Sequence, residues 1–325
     1  MKNKAIVILG PTASGKTALA LDLCKFLKAE IISLDSALVY TQMDIGSAKP
    51  TKEEMAIAPH HLINICDPKE SYSAADFRED CIRLVDDICN RGHVPIICGG
   101  TMMYYKALVD GLSPVPPSTK EVRERVLSEA NEHGWPYMHS LLKQFDEDAY
   151  RRLNPNDKQR ISRAIEVYYM TGKPMSSFFE KSGDKCPFDR VEFILLPKDD
   201  DRTELRSLIK KRFLKMLDDG FVHEVELLRA RGDLTLDMPS MRSVGYRQVF
   251  EYLEGQYDYD KMIELSVNAT AHLAKHQMTW LRGSLSKDNV SKNKFRLDIG
   301  DKNNLETVLN VLKEYDKKII SIAIT

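Results

Sequence analysis

One stretch near the N-terminus combines residues whose types and spacing are typical of a phosphate-binding loop. Residues 10–17 fit the pattern Gly-x-x-x-x-Gly-Lys-Thr, with an apolar run before them and a helical pattern after them. Glycines let the backbone turn tightly and point its N–H groups inward, and Lys16 adds a full positive charge. The Thr17 hydroxyl can ligate a magnesium ion that bridges phosphate groups. The stretch therefore predicts a bound polyphosphate, whichever group is transferred.

Asp35 and Thr101 each follow closely on another apolar run. Asp35 could cap the turn after a strand, hold magnesium beside the phosphates, or accept a proton from an attacking nucleophile. Thr101 comes after Gly99 and Gly100, which allow close approach of the backbone. It could cap the next helix or take part in a site, and the local sequence leaves both alternatives open.

Alternating strands and helices must position these residues. Strands alternating with helices imply an α/β fold, a P-loop NTPase-like parallel sheet with helices on both faces. Ligands bind beyond the carboxyl ends of such strands, which would bring the loop, Asp35 and Thr101 into one site. The strands are expected at residues 5–9, 30–34, 94–98 and 191–196, with a possible short strand at 61–66, and the intervening helices at 17–28, 73–91 and 101–110.

This alternation stops after Gly111. Residues 112–118 are rich in proline and predict a stiff connection, after which helical patterns follow without a strand between them. These helices are expected at about residues 119–132, 137–144, 146–153 and 157–171. We therefore predict a P-loop α/β catalytic core of residues 1–114 and 191–283, a helical insertion of residues 115–190 and a C-terminal tail of residues 284–325. The tail shows no recognisable chemistry, although residues 304–315 have a helical pattern.

The composition is that of an ordinary globular protein without a strong charge bias. The chain has 325 residues, of which 43% are hydrophobic and 29% charged, and its formal net charge is −1. Its six cysteines are spread without a Cys-x-x-Cys motif, and no apolar run approaches the length of a membrane span. We therefore expect reduced thiols, a cytoplasmic location and no membrane partner.

With so little net charge, any contact with nucleic acid must come from local basic clusters. Such clusters occur at residues 158–163, 210–215 and 242–247, and each taken alone is more typical of a solvated face than of a binding surface. His272 and His276 have the spacing of metal ligands on a helix. No acidic residue accompanies them in the metalloprotease arrangement, so we expect an ordinary helix surface there.

Several motifs together resemble the bacterial tRNA dimethylallyltransferases, or tRNA isopentenyltransferases. They run in family order over about residues 4–283, and Ser47 stands where many members carry threonine. The matching stretches are residues 10–17, 35–40, 43–50, 72–77, 99–104, 159–163, 241–248 and 277–282. The resemblance implies transfer of a dimethylallyl group from dimethylallyl diphosphate to the exocyclic amine of the adenosine 3′-adjacent to the anticodon in tRNA, with release of diphosphate.

The resemblance also implies roles for individual residues. Asp35 would accept the proton of the attacking amine, and Thr101 would hydrogen-bond that amine or its neighbour. Lys16, Arg212 and magnesium at Thr17 would stabilise the leaving diphosphate. The expected diphosphate-binding residues are Gly10, Pro11, Thr12, Ala13, Ser14, Gly15, Lys16, Thr17 and Arg212. The expected tRNA contacts are Asp35, Ser36, Ala37, Leu38, Thr101, Arg123, Gln159, Arg160, Ile161, Ser162, Arg163, Arg242, Ser243, Val244, Gly245, Tyr246 and Arg247.

The insertion would grip the tRNA anticodon arm, and the target base would swing out of its stack to reach the pocket. We expect the enzyme to be a monomer. Three other functions fit the phosphate loop: a small-molecule kinase using ATP, prenyl transfer to free adenine nucleotide, and a nucleotide-gated RNA-binding protein without chemistry. A kinase acting on a small acceptor would not need the large helical region with its basic clusters.

Overall fold

The computed structural model describes residues 3–179, 184–198, 201–286 and 293–315. Within these ranges the strands form one six-stranded sheet in the order β3-β2-β4-β1-β5-β6. Every neighbouring pair is parallel. The strands are β1 Lys4–Leu9, β2 Ala29–Leu34, β3 His60–His61, β4 Val94–Gly99, β5 Asp189–Leu196 and β6 Lys294–Asp298.

Thirteen α-helices accompany the sheet in the described part of the chain. They are α1 Lys16–Cys24, α2 Lys52–Ile57, α3 Ala74–Asn90, α4 Met102–Asp110, α5 Lys120–His133, α6 Trp135–Phe145, α7 Glu147–Arg152, α8 Lys158–Thr171, α9 Thr203–Asp218, α10 Phe221–Ala230, α11 Tyr246–Leu253, α12 Tyr259–Ser286 and α13 Asn304–Tyr315. A short 3-10 helix covers Met175–Phe178. The predicted N-cap at Ser73 is confirmed, because its hydroxyl accepts hydrogen bonds from two backbone N–H groups of α3.

The central strands are apolar because they are buried on both faces. Alternate residues of β1, such as Ile6 and Ile8, belong to a cluster that includes side chains of α1 and α13. The residues between them, such as Val7 and Leu9, are also fully buried. Helix α3 contacts β1, β2 and β4. Parallel strands covered in this way are typical of α/β proteins, and the predicted fold class is confirmed.

The chain forms two compact units. The first contains Met1–Lys106 and Pro187–Thr325 and carries the sheet, and the second contains Ala107–Cys186. The boundaries that we set from the sequence, at residues 115 and 190, lie a little further along the chain. The difference arises because the C-terminal half of α4 and the connection after it group with the second unit.

The second unit has its own apolar core, formed by α5, α6 and α8. Val126, Met138, Leu142 and Ile165 are among its buried side chains. Asp157 caps α8 by accepting a hydrogen bond from the backbone of Arg160, and Gly172 ends this helix in the left-handed conformation.

Residues 293–315 form regular structure that packs on the first unit, so the prediction of a tail was wrong for them. Strand β6 extends the sheet beside β5, and Leu297 is buried there. Helix α13 confirms the helical pattern at residues 304–315, and its Val308 and Leu312 belong to the same cluster as the side chains of α1. Residues 316–325, which contain the apolar end of the chain, lie outside the described residues.

Glu30 is a buried carboxylate near the start of β2, with only 4% of its side chain exposed. Its oxygens accept hydrogen bonds from Arg91 at 2.7 Å and lie 2.6 Å from Nε2 of His61. Burial alone raises the pKa of this carboxyl, but the hydrogen bonds from Arg91 and His61 outweigh it and hold the pKa at about 2. The charged network ties β2 to β3 and to the end of α3.

Candidate active site

The phosphate-loop sequence forms a tight turn between β1 and α1. Ala13 and Gly15 have φ angles of 61° and 82°, in the left-handed region that glycine tolerates best. The backbone N–H of Ser14 donates to the carbonyl of Pro11 at 3.3 Å. Helix α1 begins at Lys16, so the N–H groups of its first turn have no acceptor within the helix. These donors form an anion-binding end at the helix N-terminus.

Two cationic side chains converge on this loop, and their hydrogen bonds go to uncharged oxygens. Lys16 Nζ donates to the Pro11 carbonyl at 3.2 Å, and Arg212 Nη1 donates to the Thr12 hydroxyl at 3.4 Å. Burial lowers the pKa of both groups, while the negative charge of Asp35 opposes the shift. Each cation therefore gains from an additional anion at the loop, as a diphosphate would supply.

Asp35 and Thr101 lie at the ends of β2 and β4. Asp35 Oδ1 accepts a hydrogen bond from the Ala37 backbone at 2.8 Å, so the carboxylate does cap its own turn. The Thr101 hydroxyl accepts the Ser36 N–H at 3.0 Å and lies 3.4 Å from the Ser36 hydroxyl oxygen. Thr101 thus holds the loop that carries Asp35.

One cavity of about 790 Å³ joins these features within the first unit. Its polar side is lined by the phosphate loop, Arg212, Asp35 and Thr101, and its apolar side chains include Phe213 and Trp280. Cys98 also lines it, but burial raises the pKa of this thiol to about 12, so it is no nucleophile. The predicted site residues that line the cavity are Thr12, Ala13, Lys16, Thr17, Asp35, Ser36, Ala37, Leu38, Thr101, Arg212, Arg242, Ser243, Val244, Gly245 and Tyr246.

The other predicted residues of the first unit occupy supporting or outer positions. Gly10, Pro11, Ser14 and Gly15 shape the loop but are absent from the cavity lining. The Arg247 side chain is 55% exposed and pairs with Glu251 at 2.8 Å on its own helix.

In the second unit, the predicted tRNA contacts divide between exposed and internal positions. Arg123, Gln159 and Arg160 are exposed on α5 and α8. Ser162 donates a hydrogen bond to Glu166. Arg163 donates to the Pro116 carbonyl at 2.8 Å and so braces the proline-rich connection.

Two of the predicted tRNA contacts have buried side chains, which is not the exposed position that the prediction requires. Ile161 is fully buried in the core of the second unit, so its side chain supports α8 instead of facing RNA. Tyr246 has 0% exposure, and its hydroxyl donates to Glu224 at 2.6 Å. The apolar and aromatic character of these residues indicated interior positions, but the motif that they belong to suggested contact with RNA.

Glu224 is a functional support that the sequence analysis missed. Its carboxylate accepts the backbone N–H groups of Asp44, Ile45 and Gly46 at 2.8, 2.7 and 3.1 Å, in addition to the Tyr246 hydroxyl. Gly46 and Tyr246 both line the cavity, so one carboxylate joins two parts of its wall. Nothing in the local sequence of α10 distinguishes Glu224 from a solvent-facing residue.

The residues present fit magnesium only in the arrangement that is typical of phosphate loops, in which one Ser or Thr hydroxyl holds the ion together with substrate phosphates. The described ranges contain no group of three or more His, Cys, Asp and Glu side chains that could hold a metal ion. Thr17 is exposed and lines the cavity with Asp35, so its hydroxyl could share an ion with diphosphate oxygens and water. His272 and His276 have ring centroids 4.4 Å apart on the exposed face of α12, as expected from their spacing. In the described part of the chain, no helix is long and apolar enough to span a membrane.

Comparison with known proteins places these features in a family. Residues 38–284 match the family model described as IPP transferase. The full-length tRNA isopentenylpyrophosphate transferase from Bacillus halodurans is 31% identical, with 99% of this chain and 98% of that one covered and a TM-score of 0.68. The tRNA delta(2)-isopentenylpyrophosphate transferase from Staphylococcus epidermidis is also 31% identical, with 97% and 100% covered and a TM-score of 0.68.

A eukaryotic dimethylallyltransferase acting on tRNA has a TM-score of 0.79 at 26% identity, with 95% of this chain and 78% of that chain covered. The bacterial structures also span the C-terminal region that the sequence analysis treated as a tail. The family match covers most of the chain; it begins after the phosphate loop and Asp35 and includes the end of β4 and all but the last two residues of helix α12. The chain therefore belongs to the IPP transferase family.

Proposed function

We propose that this chain transfers the dimethylallyl group from dimethylallyl diphosphate to the exocyclic amine of the adenosine 3′-adjacent to the anticodon in tRNA. The observation that carries the proposal is the arrangement of charge in one cavity. Lys16 and Arg212 converge on a phosphate loop, and the carboxylate of Asp35 lies at the end of a nearby strand. A leaving diphosphate needs the positive charges of Lys16 and Arg212, and an attacking amine needs the carboxylate of Asp35 to take its proton.

In this reaction, the bond between the allylic carbon and the diphosphate oxygen breaks while a bond from that carbon to the adenine nitrogen forms. The electron pair of the broken bond leaves with the diphosphate, where Lys16, Arg212 and the N–H groups of the first turn of α1 stabilise the added charge. Magnesium at Thr17 would supply further Lewis-acid stabilisation of the same group. The protein contributes fixed charges that need no rearrangement during the reaction.

The nitrogen must also lose a proton. The exocyclic amine is a weak nucleophile because its lone pair is delocalised into the ring, but its proton becomes acidic once the new bond forms. Asp35 accepts this proton, and Thr101 positions the loop that carries Asp35. Apolar cavity side chains such as Phe213 and Trp280 keep water from the allylic carbon.

We propose tRNA as the acceptor and a monomer as the active form. The target base would swing out of the anticodon loop into the cavity, as bases do in enzymes that modify them. Residues 35–38 and 242–245 line the cavity and are the proposed contacts near this base. Arg123, Gln159 and Arg160 are exposed in the second unit and are proposed to bind the RNA backbone. The proposed catalytic residues Asp35 and Thr101 line one cavity within the first unit, which supports a monomer as the active form.

The test is to incubate the purified full chain with magnesium, labelled dimethylallyl diphosphate and unmodified tRNA. We expect label in the tRNA, at the adenosine next to the anticodon, and equimolar release of diphosphate. Label in free AMP would overturn the choice of acceptor. ATP hydrolysis with a small acceptor, and no use of the prenyl donor, would overturn the proposal as a whole. Light scattering during turnover would measure whether the active form is a monomer.

A further inference from the structure

Gln277 joins two loops of the candidate site, although it lies on α12, far from both in sequence. Its Oε1 accepts the backbone N–H of Thr12 in the phosphate loop at 2.9 Å. Its Nε2 donates to the carbonyl of Gly100, after β4, at 2.8 Å. One amide side chain therefore satisfies one donor and one acceptor from two different strand ends.

Gly100 provides the space for this contact. A Cβ atom at this position would lie 2.7 Å from Nε2 of Gln277 and 2.9 Å from the carbonyl oxygen of Gly10. Both distances are shorter than such contacts allow, and the second one involves backbone. The absence of a side chain at position 100 thus lets α12 and the phosphate loop approach the end of β4.

The contacts continue on both sides of Gln277. On one side, Thr12 accepts a hydrogen bond from Arg212 through its hydroxyl. On the other side, Gly100 precedes Thr101, whose hydroxyl accepts the N–H of Ser36, the residue after Asp35. Gln277 is therefore the connection between the cationic end of the cavity and the end that carries the carboxylate.

We propose that Gln277 is a positioning residue. It sets the distance between the phosphate loop, which would bind the diphosphate, and the residues Asp35 and Thr101 at the ends of β2 and β4. Its Oε1 accepts the hydrogen bond of the Thr12 N–H, so this donor is bonded within the protein. The hydrogen bond holds the phosphate loop in one conformation. The inference rests on the proposed prenyl transfer, in which the allylic carbon and the amine must meet at about 3–3.5 Å. A misplacement of about 1 Å costs roughly 100-fold in rate, so a small shift of either loop slows the chemical step.

The test uses Gln277→Met, which keeps the length of the side chain and its helix propensity but removes both hydrogen bonds. We expect kcat with saturating substrates to fall about 10- to 100-fold. The affinities for tRNA and for inorganic diphosphate should stay within about threefold of wild type, because neither ligand loses a direct contact. Lys275→Ala, on the same helix but outside the cavity lining, is the matched control and should retain wild-type kcat.

Gln277→Glu is the second variant. It can still accept the N–H of Thr12, but it places a carboxylate oxygen against the Gly100 carbonyl, so we expect a comparable or larger loss of kcat. A double-mutant cycle with Thr101→Val should be non-additive, because both residues act on the same loop arrangement.

The inference is overturned if wild type transfers the prenyl group to tRNA and both variants keep kcat within about twofold of it. A lowered melting temperature with unchanged kcat per folded molecule would likewise reduce Gln277 to a structural role. An inactive wild-type enzyme, in contrast, would overturn the proposed function itself.

Discussion

Replacing Asp35 with asparagine separates the chemical role of this carboxylate from its structural role. Asp35 Oδ1 accepts the Ala37 N–H at 2.8 Å, and the amide oxygen of asparagine can accept the same hydrogen bond. The turn after β2 should therefore keep its shape in Asp35→Asn, and so should the contact between Ser36 and Thr101. What the variant loses is the negative charge and the ability to take a proton from the adenine amine.

The expected loss follows from that role. A positioned general base typically contributes about 100- to 10,000-fold to a rate. At about 1.4 kcal/mol for each factor of ten, this range corresponds to about 3–5.5 kcal/mol of transition-state stabilisation. Asp35→Ala also removes the side-chain acceptor that caps the turn, so it should be slower still.

The assay is single-turnover transfer of labelled prenyl group with enzyme in excess and both substrates saturating, together with tRNA affinity measured separately. We expect the rate constant to fall by at least about 100-fold while tRNA affinity changes by less than about threefold. Asp22→Asn is a matched control, because Asp22 is an exposed carboxylate on α1 that pairs with Lys25. A rate for Asp35→Asn within about threefold of wild type would refute the assignment of Asp35 as the base.

Further predictions concern substrate binding and stability. Lys16→Ala should lower kcat and raise KM for the prenyl donor without changing tRNA affinity, because it removes a charge that stabilises the leaving diphosphate. Arg160→Ala should weaken tRNA binding and lower the slope of log affinity against log salt by about one, in filter-binding assays across salt concentrations. Because the pKa of Glu30 is about 2 when folded, against an ordinary value of 4.5, its charge stabilises the fold above about pH 4.5 and this contribution is lost as the pH falls towards 2. Urea unfolding should therefore show Glu30→Gln less stable than wild type by about 3 kcal/mol at neutral pH, with a difference that shrinks below about pH 4.5. Leu312→Ala should lower the free energy of unfolding by about 2–5 kcal/mol in the same assay, whereas a true tail would give no change.

The features of this protein that could be predicted are those that depend on consecutive residues in the sequence. The apolar runs of β1, β2, β4 and β5 gave the right strands because these strands are buried on both faces. The predicted site residues next to them line one cavity because parallel strands end at the same edge of a sheet. Strand β6 was missed because it is a five-residue edge strand in a polar stretch, although the alternation of polar and apolar residues over Lys294–Asp298 is typical of such a strand.

The supports of the site could not be predicted in the same way. Gln277 lies 177 and 265 residues from its two hydrogen-bond partners, and Glu224 lies about as far from the loop that it holds. A glutamine or glutamate on a helix carries no local sign of such a partner, because helical periodicity describes only which face is apolar. Ile161 shows the reverse problem, since it belongs to a stretch that includes exposed cations and yet is buried.

The order of the strands explains the distance between the phosphate loop and Asp35. β4 lies between β1, which leads into the phosphate loop, and β2, which leads into Asp35. Neighbouring strands are about 4.8 Å apart, so the ends of β1 and β2 are separated by about 10 Å. Thr101, after the intervening strand, lies between the two groups and contacts the loop of Asp35. This separation leaves room for a phosphate, an allylic carbon and an amine in a row. The spacing of the strands therefore determines the distance between the phosphate loop and Asp35.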